Sequence, residues 1–502
     1  MGMPAWDLPI ALDPRADLPI FLQIARAVSD DVRRGRLRPG DALPGSRTLA
    51  TSLGVHRNTV LAAYRELASE GWIETARRET VVSAALPDPT PRRFALSAAP
   101  RVDVPERVGF ELRPFVDRWE GPPALALAKG TLFLASGLPD LRLLPVAPLA
   151  RAYRRVLRAR GKAVLDYGDP RGHLRLRTAL ATMLCSLRGL AASPETLLVT
   201  RGSQMAIDLV ARTLVAPGDV VAVEGLGYRP AWAALRAAGA RLVPIAVDAH
   251  GLRIDALTAA LENQPIRAIY ATPHHQYPTT KVLPPGRRLQ LLELARAHRI
   301  AILEDDYDYE FHYDGRPVLP LASADRAGVV VYVGTLSKVL APGLRLGFVV
   351  APEPLLERIA SVRAFVDRQG DQATECAVAE MIEDGEVQRH VRRMRNAYRA
   401  RRDALVEALR ASLGDAIDVD VPAGGMALWL RAKEVDMEAW AAASASQGAA
   451  FYTARRFSFD GRPRPFARIG FAALSESELR EAVSRMARAH AKVLRAERAK
   501  AG

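Results

Sequence analysis

The sequence predicts a multidomain chain in which a small α+β unit precedes a large α/β unit. Three observations carry that expectation. At 502 residues the chain exceeds one ordinary domain, and length alone suggests more than one. Between Leu18 and Ala85 the apolar spacing reads helix, helix, helix, hairpin. From Phe133 onward, apolar runs alternate with helical stretches, as in a parallel sheet covered by helices. An apolar fraction of 49% supports sizeable cores in both units.

The first twenty residues, MGMPAWDLPIALDPRADLPI, are acidic and lack the apolar stretch of a signal peptide. No apolar run approaches the length of a bilayer span. Cys185 and Cys376 lie far apart with no metal-ligand spacing, which fits a reduced cytoplasm and no structural metal. The expectation is a cytoplasmic protein with no membrane partner.

Charge needs a local reading. The net +14 suggests a nucleic-acid partner, yet residues 1–85 hold 11 arginines against 10 acidic residues. The excess is concentrated between Arg33 and Arg65, with seven arginines and one aspartate. A second cluster, Gln388 to Ser412, has eight arginines and two acids, and its spacing suggests the solvated face of a long helix.

In chain order, Ile20 to Arg34 carries apolar residues at helical spacing, and Leu37-Arg38-Pro39-Gly40 makes a turn. A short helix is expected over Ser46 to Leu53, a tight turn at Gly54-Val55, and a third helix from Arg57 to Ser69. In that third helix Val60, Leu61, Tyr64 and Leu67 are expected inside, with Arg57, Asn58, Thr59, Ala62 and Ala63 outside or flanking. Trp72 to Thr75 and Thr80 to Ser83 read as two short strands. Two helices joined by a glycine turn, the second opening on arginine and amide side chains, form a helix-turn-helix. The run LPGSRTLATSLGVHRNTVLAAYRELASEGW resembles the GntR-type winged helix-turn-helix. That resemblance implies contacts from Arg47, Arg57, Asn58 and Thr59 to double-stranded DNA, with His56 near a phosphate or base edge. Arginine and asparagine are the side chains that read guanine and adenine bidentately. Ala76-Arg77-Arg78-Glu79 stands where the wing usually has a glycine-rich turn, and Arg77 and Arg78 are suited to gripping phosphate.

Leu86 to Gly130 contains eight prolines and little periodicity, so it reads as a linker. The expected domains are therefore 18–85, a linker at 86–130, and 131–502.

Within the large unit, strands are expected at Thr196–Val199, Val220–Val223, Arg267–Ala271, Ile300–Glu304, Val329–Val333 and Leu346–Val350. Thr200-Arg201-Gly202-Ser203-Gln204 joins the first of these to a helix over Met205 to Leu214, a phosphate cradle of free N–H groups. The fourth runs into Asp305, Asp306 and Tyr307, and Asp305 and Tyr307, two apart, face the same side of an extended strand. A carboxylate at such a strand end can pair with a protonated pyridine nitrogen. The adjacent His274 and His275 cannot share a helix face, which disfavours a zinc site. The fifth strand opens into Gly334-Thr335-Leu336-Ser337 and presents Lys338, with Arg345 seven residues on. A nucleophilic amine beside hydroxyls and a fixed cation suits a phosphorylated aldehyde.

FLASGLPD, YGDPRGHLRLR, TRGSQMAIDL, TPHHQYPT, EDDYDYEF, TLSKVLAPGLRLG and RIGFAAL, in that order, resemble fold-type I pyridoxal-phosphate aminotransferases. With the upstream segment, the whole resembles MocR-type regulators, the GntR subfamily that fuses a winged helix-turn-helix to such a domain. The resemblance implies that Lys338 forms the internal aldimine with pyridoxal 5'-phosphate, Asp305 binds the pyridine nitrogen and Tyr307 the ring hydroxyl. It implies that Gly202, Ser203, Gln204, Thr335, Ser337 and Arg345 hold the phosphate, helped by Tyr167 across a dimer interface, with Tyr228 near or over the ring. Arg468 would grip the carboxylate of an incoming amino compound, as a guanidinium does bidentately. Three departures fall at the ligand pocket: Tyr277 replaces an asparagine, Thr280 replaces a glycine, and Gly424-Gly425-Met426-Ala427 lacks a histidine.

The function so implied is a ligand-responsive transcription factor, a homodimer with two DNA readers and therefore two half-sites, an arrangement that admits domain-swapped subunits. An amino effector would exchange onto the cofactor at Lys338. The alternatives are a sensor of pyridoxal phosphate controlling vitamin B6 synthesis, and a true aminotransferase with an accessory DNA-binding domain.

Overall fold

Gly54 sets the geometry of the first unit. The computed structural model describes residues 10–16, 18–76, 79–86, 108–112, 127–315 and 317–501, and the chain divides into two units, 1–112 and 113–502. In the first, helices α1 (Ile20–Arg33), α2 (Ser46–Leu53) and α3 (Arg57–Ser69) are joined by a two-stranded pairing and a hairpin. Strand β1 (Ala42–Leu43) pairs antiparallel with β3 (Glu79–Val82), which pairs with β2 (Ile73–Ala76). Gly54 closes α2 at φ 63°, a left-handed conformation that glycine adopts without strain. The next helix starts three residues later, its first turn capped by the His56 side chain, which accepts from the Asn58 N–H. Ile24, Val28, Val60, Leu67 and Val82 form one core with Trp72. Ala63, expected at the flank, is fully buried in that core. Alanine carries no polar group, so its spacing alone cannot separate flank from core. Tyr64 donates its hydroxyl to the Pro44 carbonyl at 2.6 Å, fixing α3 against the turn before α2. The wing residues Arg77 and Arg78 and most of the linker lie outside the described residues.

The second unit begins with β4 (Leu132–Phe133), α4 (Val146–Val164) and α5 (Leu174–Arg188). There follow β5 (Leu197–Thr200), α6 (Ser203–Leu214), β6 (Val220–Glu224), α7 (Arg229–Ala237), β7 (Arg241–Ile245) and the small hairpin β8 (Val247–Asp248) and β9 (Gly251–Leu252). Next come α8 (Ile254–Asn263), β10 (Ile266–Ala271), α9 (Pro285–His298), β11 (Ala301–Asp306), α10 (Leu321–Ala324), β12 (Val330–Thr335) and β13 (Gly347–Val350). The chain ends with α11 (Glu353–Val366), α12 (Gln372–Glu383), α13 (Glu386–Leu413), β14 (Ile417–Asp420), β15 (Ala427–Ala432), α14 (Met437–Ser446), β16 (Ala449–Ala450), β17 (Tyr452–Thr453), β18 (Phe466–Gly470) and α15 (Glu476–Ala501).

Seven strands form the main sheet in the order β5-β13-β12-β11-β10-β6-β7. Strands β12, β11, β10, β6 and β7 pair in parallel, and β13 is antiparallel to both of its neighbours, β12 and β5. These strands read as apolar runs because both faces are covered. On β6, Val221 and Val223 pack into one core while Val220 and Ala222 pack into the core on the opposite face. A second sheet, β14-β15-β18-β17, has its own core with Trp440, Leu428 and Ile469. Helix α6 starts at Ser203, two residues before the expected start, so the cradle residues form its first turn. Among the described residues no helix is long and apolar enough to cross a membrane.

The arginine cluster is a long helix, as expected, but not wholly a solvated face. On α13, Arg389, Arg392, Arg393, Arg395, Arg399 and Arg410 are exposed, whereas Arg401 and Arg402 are buried. Arg401 donates to Asp140 at 2.8 Å and to the Ala472 carbonyl at 2.6 Å. Arg402 donates to Asp314 at 2.5 Å and to the Pro422 carbonyl at 2.9 Å. Asp140 is 3% exposed and accepts from the buried Arg401 at 2.8 Å, so its removal strands the Arg401 charge. Asp140→Ala should therefore cost about 3–5 kcal/mol of stability in the large unit, read by urea unfolding. A loss under about 1 kcal/mol would contradict the assignment.

Candidate functional site

Parallel strands deliver their ends to one edge of the sheet, and every expected site residue of the large unit except Tyr167 and Arg468 sits at or just past that edge. Strand β12 ends at Thr335, and the chain then turns through Leu336 and Ser337 to Lys338. A Cβ placed on Gly137 would stand 3.5 Å from Lys338 Nζ, which brings the FLASGLPD segment alongside the lysine. Burial lowers the amine below the usual lysine range, and the carboxylates Asp308 and Asp305 oppose that fall.

The cradle is built by close approach of β13 to the start of α6. A Cβ on Gly347 would lie 2.5 Å from the Gly202 carbonyl carbon and 2.6 Å from Ser203 N, so only glycine fits. Gly202 caps α6 at φ 79° with no side-chain cap, which leaves the first-turn N–H groups open. A Cβ on Gly202 would lie 3.1 Å from both terminal nitrogens of Arg345. Arg345 itself holds a left-handed φ of 52° and donates to the Arg201 carbonyl at 2.8 Å. Thr335 accepts the Ser337 N–H at 3.1 Å. Gln204 donates to the Pro230 carbonyl at 2.8 Å, and its buried Oε1 has no partner among the described residues. Hydroxyls, open N–H groups and a guanidinium thus converge in an anion-binding arrangement.

At the next strand, Asp305 is buried and accepts from the Tyr270 hydroxyl at 2.7 Å through Oδ2, while Oδ1 has no partner among the described residues. Burial pushes this carboxyl up to about 6. Tyr307 donates to the His275 carbonyl at 3.0 Å. Arg468, fully buried on β18 of the second sheet, donates to the Pro278 carbonyl and, at 3.4 Å, to the Tyr307 hydroxyl. Its guanidinium lies 4.6 Å from the Tyr277 ring centroid, and its Nε has no partner among the described residues. Tyr228 meets Tyr277 edge-on at 5.5 Å. Thr280 has a φ of 63°, so the position where the aminotransferase pattern has glycine keeps a glycine-like backbone in a β-branched residue. Tyr167 stands apart from this group, 73% exposed and covered by the Arg368 guanidinium at 4.1 Å.

Sequence reading missed Tyr270, the partner of Asp305, and a buried pair, His275 and Asp308, at 2.7 Å. It also missed Glu224, which accepts from the Thr272 hydroxyl at 2.6 Å and is pushed by burial to about 7. A tyrosine in a buried strand looks like core; only its placement one strand over from Asp305 distinguishes it.

In the small unit, Arg47, His56, Arg57 and Asn58 are exposed and Thr59 is half-buried. Arg57 Nε donates to the Ser46 hydroxyl at 3.3 Å, so the starts of α2 and α3 are tied together. His56 has a structural duty besides, as the cap of α3.

Comparison with known proteins accords with both units. The family "Aminotransferase class I and II" matches residues 131–486, and "Bacterial regulatory proteins, gntR family" matches residues 21–82. The chain is 31% identical to the probable rhizopine catabolism regulatory protein MocR of Rhizobium meliloti, over 95% of this chain and 94% of that one. It is 32% identical to the HTH-type pyridoxine biosynthesis transcriptional regulator PdxR of Corynebacterium glutamicum, over 80% of this chain and 82% of that one. Among solved structures, the large unit resembles LysN, an alpha-aminoadipate aminotransferase from Thermus thermophilus complexed with N-(5'-phosphopyridoxyl)-L-leucine. The TM-score is 0.69 at 29% identity, covering 75% of this chain and 96% of that one.

Asp305 yields a pH prediction. Its folded value, about 6, lies above the ordinary unfolded aspartate value near 3.9. Stability from this group is therefore fully present below about pH 4 and lost as pH rises through about 6. In cofactor-free protein, Asp305→Asn should gain on the parent chain by about 1.4 kcal/mol between pH 5 and pH 8. Denaturant unfolding at the two pH values measures this, and a difference that does not change with pH contradicts it.

Proposed function

The chain belongs to the MocR-type subfamily of GntR regulators, and from that premise we propose a transcription factor whose DNA affinity answers to an amine competing with Lys338 for pyridoxal 5'-phosphate. One observation carries the reading: Asp305 Oδ1, a buried carboxylate oxygen without a partner among the described residues, ends a strand beside Lys338. An acceptor left open in a dry site suits a protonated pyridine nitrogen, because burying it unmet costs about 1–3 kcal/mol. The glycine-lined cradle of Gly202 and Ser203, with Gln204, Thr335, Ser337 and Arg345, suits a phosphate. Bound there, pyridoxal phosphate supplies an aldehyde that condenses reversibly with amines.

The chain's own residues then divide the work. Tyr307 would orient the ring hydroxyl, Tyr228 would border the ring, and Arg345 would neutralise phosphate charge. Lys338 is the amine that a ligand must displace, and its lowered proton affinity favours the nucleophilic form. Arg468 holds an unpartnered Nε inside the site, which supports an effector bearing a carboxylate. Tyr167, exposed in the single chain beside Arg368, would help complete the phosphate site of a second subunit in a homodimer. Arg47, Arg57, Asn58 and Thr59, with His56, form the DNA-reading surface, two per dimer on two half-sites. The protein acts in the cytoplasm, where its operator is.

A second reading, in which the cofactor is itself the effector, is supported by the likeness to a regulator named for pyridoxine biosynthesis. Operator binding that changes on adding cofactor alone would favour it.

Two variants test the proposal. With added cofactor the parent chain should show a visible band, and borohydride should fix the cofactor on the Lys338 peptide; Lys338→Ala should show neither. Label found on another lysine overturns the assignment. Arg57→Ala should lose about 1–3 kcal/mol of specific operator affinity while keeping the band. Unchanged specific binding in a gel-shift titration contradicts the placement of the DNA reader.

A further inference from the structure

The roles above leave the arginines of α13 unused. From Val387 to Arg402 that helix holds seven arginines and no aspartate or glutamate. Arg401 and Arg402 are buried ion-pair partners, whereas Arg389, Arg392, Arg393, Arg395 and Arg399 are exposed. At 3.6 residues per turn these five fall within about half of the helix circumference, over a rise of roughly 15 Å. The other side of the helix is core, with Val387, Val391, Met394, Tyr398 and Leu405 buried.

The protein answers little of this charge. Arg389 meets Glu386 at 3.0 Å, and Arg395 donates only to a carbonyl, that of Glu310, at 2.9 Å. Arg399 stands 4.0 Å from Asp314, a carboxylate already bound by Arg402. Arg392 and Arg393 make no hydrogen bond or ion pair among the described residues. Asp384 ties the start of the helix to α4: its carboxylate accepts from Arg155 at 3.1 Å and its carbonyl from Arg389 at 2.8 Å. Arg151 and Arg158, exposed on the Arg155 side of α4, extend the basic surface, and α4 contains no acid. Like charges three and four positions apart destabilise a helix, and Arg389, Arg392, Arg395 and Arg399 are so spaced. A face that served only solubility would mix its signs. A polyanion turns the same row into an attraction.

The chain itself indicates which polyanion. The gntR-family segment at residues 21–82 brings duplex DNA, yet residues 1–85 carry only +1 of the net +14. Covalent attachment keeps a duplex held by the first unit at high local concentration around the second. An anionic membrane fits less well, because the apolar side of α13 is already packed in the core and is not free to enter a bilayer.

We propose that the exposed arginines of α13 are a second DNA contact, which grips duplex phosphates beside the half-sites without reading sequence. The proposal rests on the DNA-binding part of the function proposed above, and on neither its cofactor nor its effector.

The test is fluorescence anisotropy of the full-length protein on a labelled random-sequence duplex of about 60 base pairs, several helical turns, over a range of potassium chloride concentrations. Replacing Arg392, Arg393 and Arg399 together by Gln, whose helix propensity is close to that of arginine, keeps the helix and removes three charges. That variant should bind about tenfold or more weakly and lose about two to three units of the slope of log affinity against log salt, since each phosphate contact contributes close to one. Arg253→Gln, Arg296→Gln and Arg358→Gln together remove the same charge from other faces and should keep the parent's slope. A slope and affinity equal to the parent's in the α13 variant overturn the proposal, and so does an equal loss in the control, which marks bulk charge. Retained DNA binding with lost attachment to phosphatidylglycerol vesicles assigns the row to a membrane surface and overturns it as well. Should the triple variant fail to fold, Arg392→Gln alone decides, with an expected slope change of about one. A parent chain that prefers no genomic sequence to random duplex defeats the DNA reader, while the salt slope still decides the role of α13.

Discussion

A carboxylate buried at a strand end constrains the large unit. Asp305 is shielded from water by the sheet and its covering helices, and its neighbours among the described residues meet only one of its two oxygens. Tyr270 from the adjacent strand supplies that one contact, and burial holds the group's proton affinity well above that of an exposed aspartate. Such an arrangement costs stability unless a positive partner arrives. The sheet order explains why it can form at all. Strands β10, β11 and β12 are parallel neighbours, so Tyr270, Asp305 and the loop carrying Lys338 emerge at the same edge. The antiparallel β13 then returns the chain beside β5, and Gly347 against Gly202 and Ser203 sets the anion cradle at that edge.

The second sheet adds what the first lacks. Arg468 comes from its β18, reaching the Pro278 carbonyl and Tyr307, and the Gly424–Gly425 loop packs on His275 and Asp308. Arg468, the proposed effector clamp, and the Gly424–Gly425 loop therefore belong to one sheet, while the proposed cofactor cradle and ring partners belong to the other. A ligand held by Arg468 and joined to the cofactor would bridge the two, and its binding energy would favour their closer association. Under the proposed function, that closure would be the signal passed to the DNA reader.

Much of this was legible in the sequence, and the reasons are local. Helices α2 and α3 have the ends expected because Gly54 and the residues around His56 mark them by short-range chemistry. Lys338, Asp305 and the cradle stood out because they fall where apolar runs stop, and their order resembles one family. What escaped depends on distant partners. Asp140 and Arg401 are 261 positions apart, so nothing in the periodicity of α13 marks Arg401 and Arg402 as buried. His275 and Asp308 are 33 apart, and in EDDYDYEF the second acid after Asp305 looks like any other acid at a strand end. Ala63 could not be assigned to the core because alanine fits either environment.

We propose that the lysine site governs DNA binding rather than a catalytic cycle. The most direct measurement is the affinity of the full-length, cofactor-loaded protein for a labelled operator, by fluorescence anisotropy at fixed salt, as an amino compound that alters the visible band is titrated. Operator affinity should change about tenfold or more, a coupling near 1.4 kcal/mol, over the same concentrations that alter the band, with no steady-state keto acid production when an acceptor is supplied. Sustained turnover with an unchanged operator affinity would contradict it.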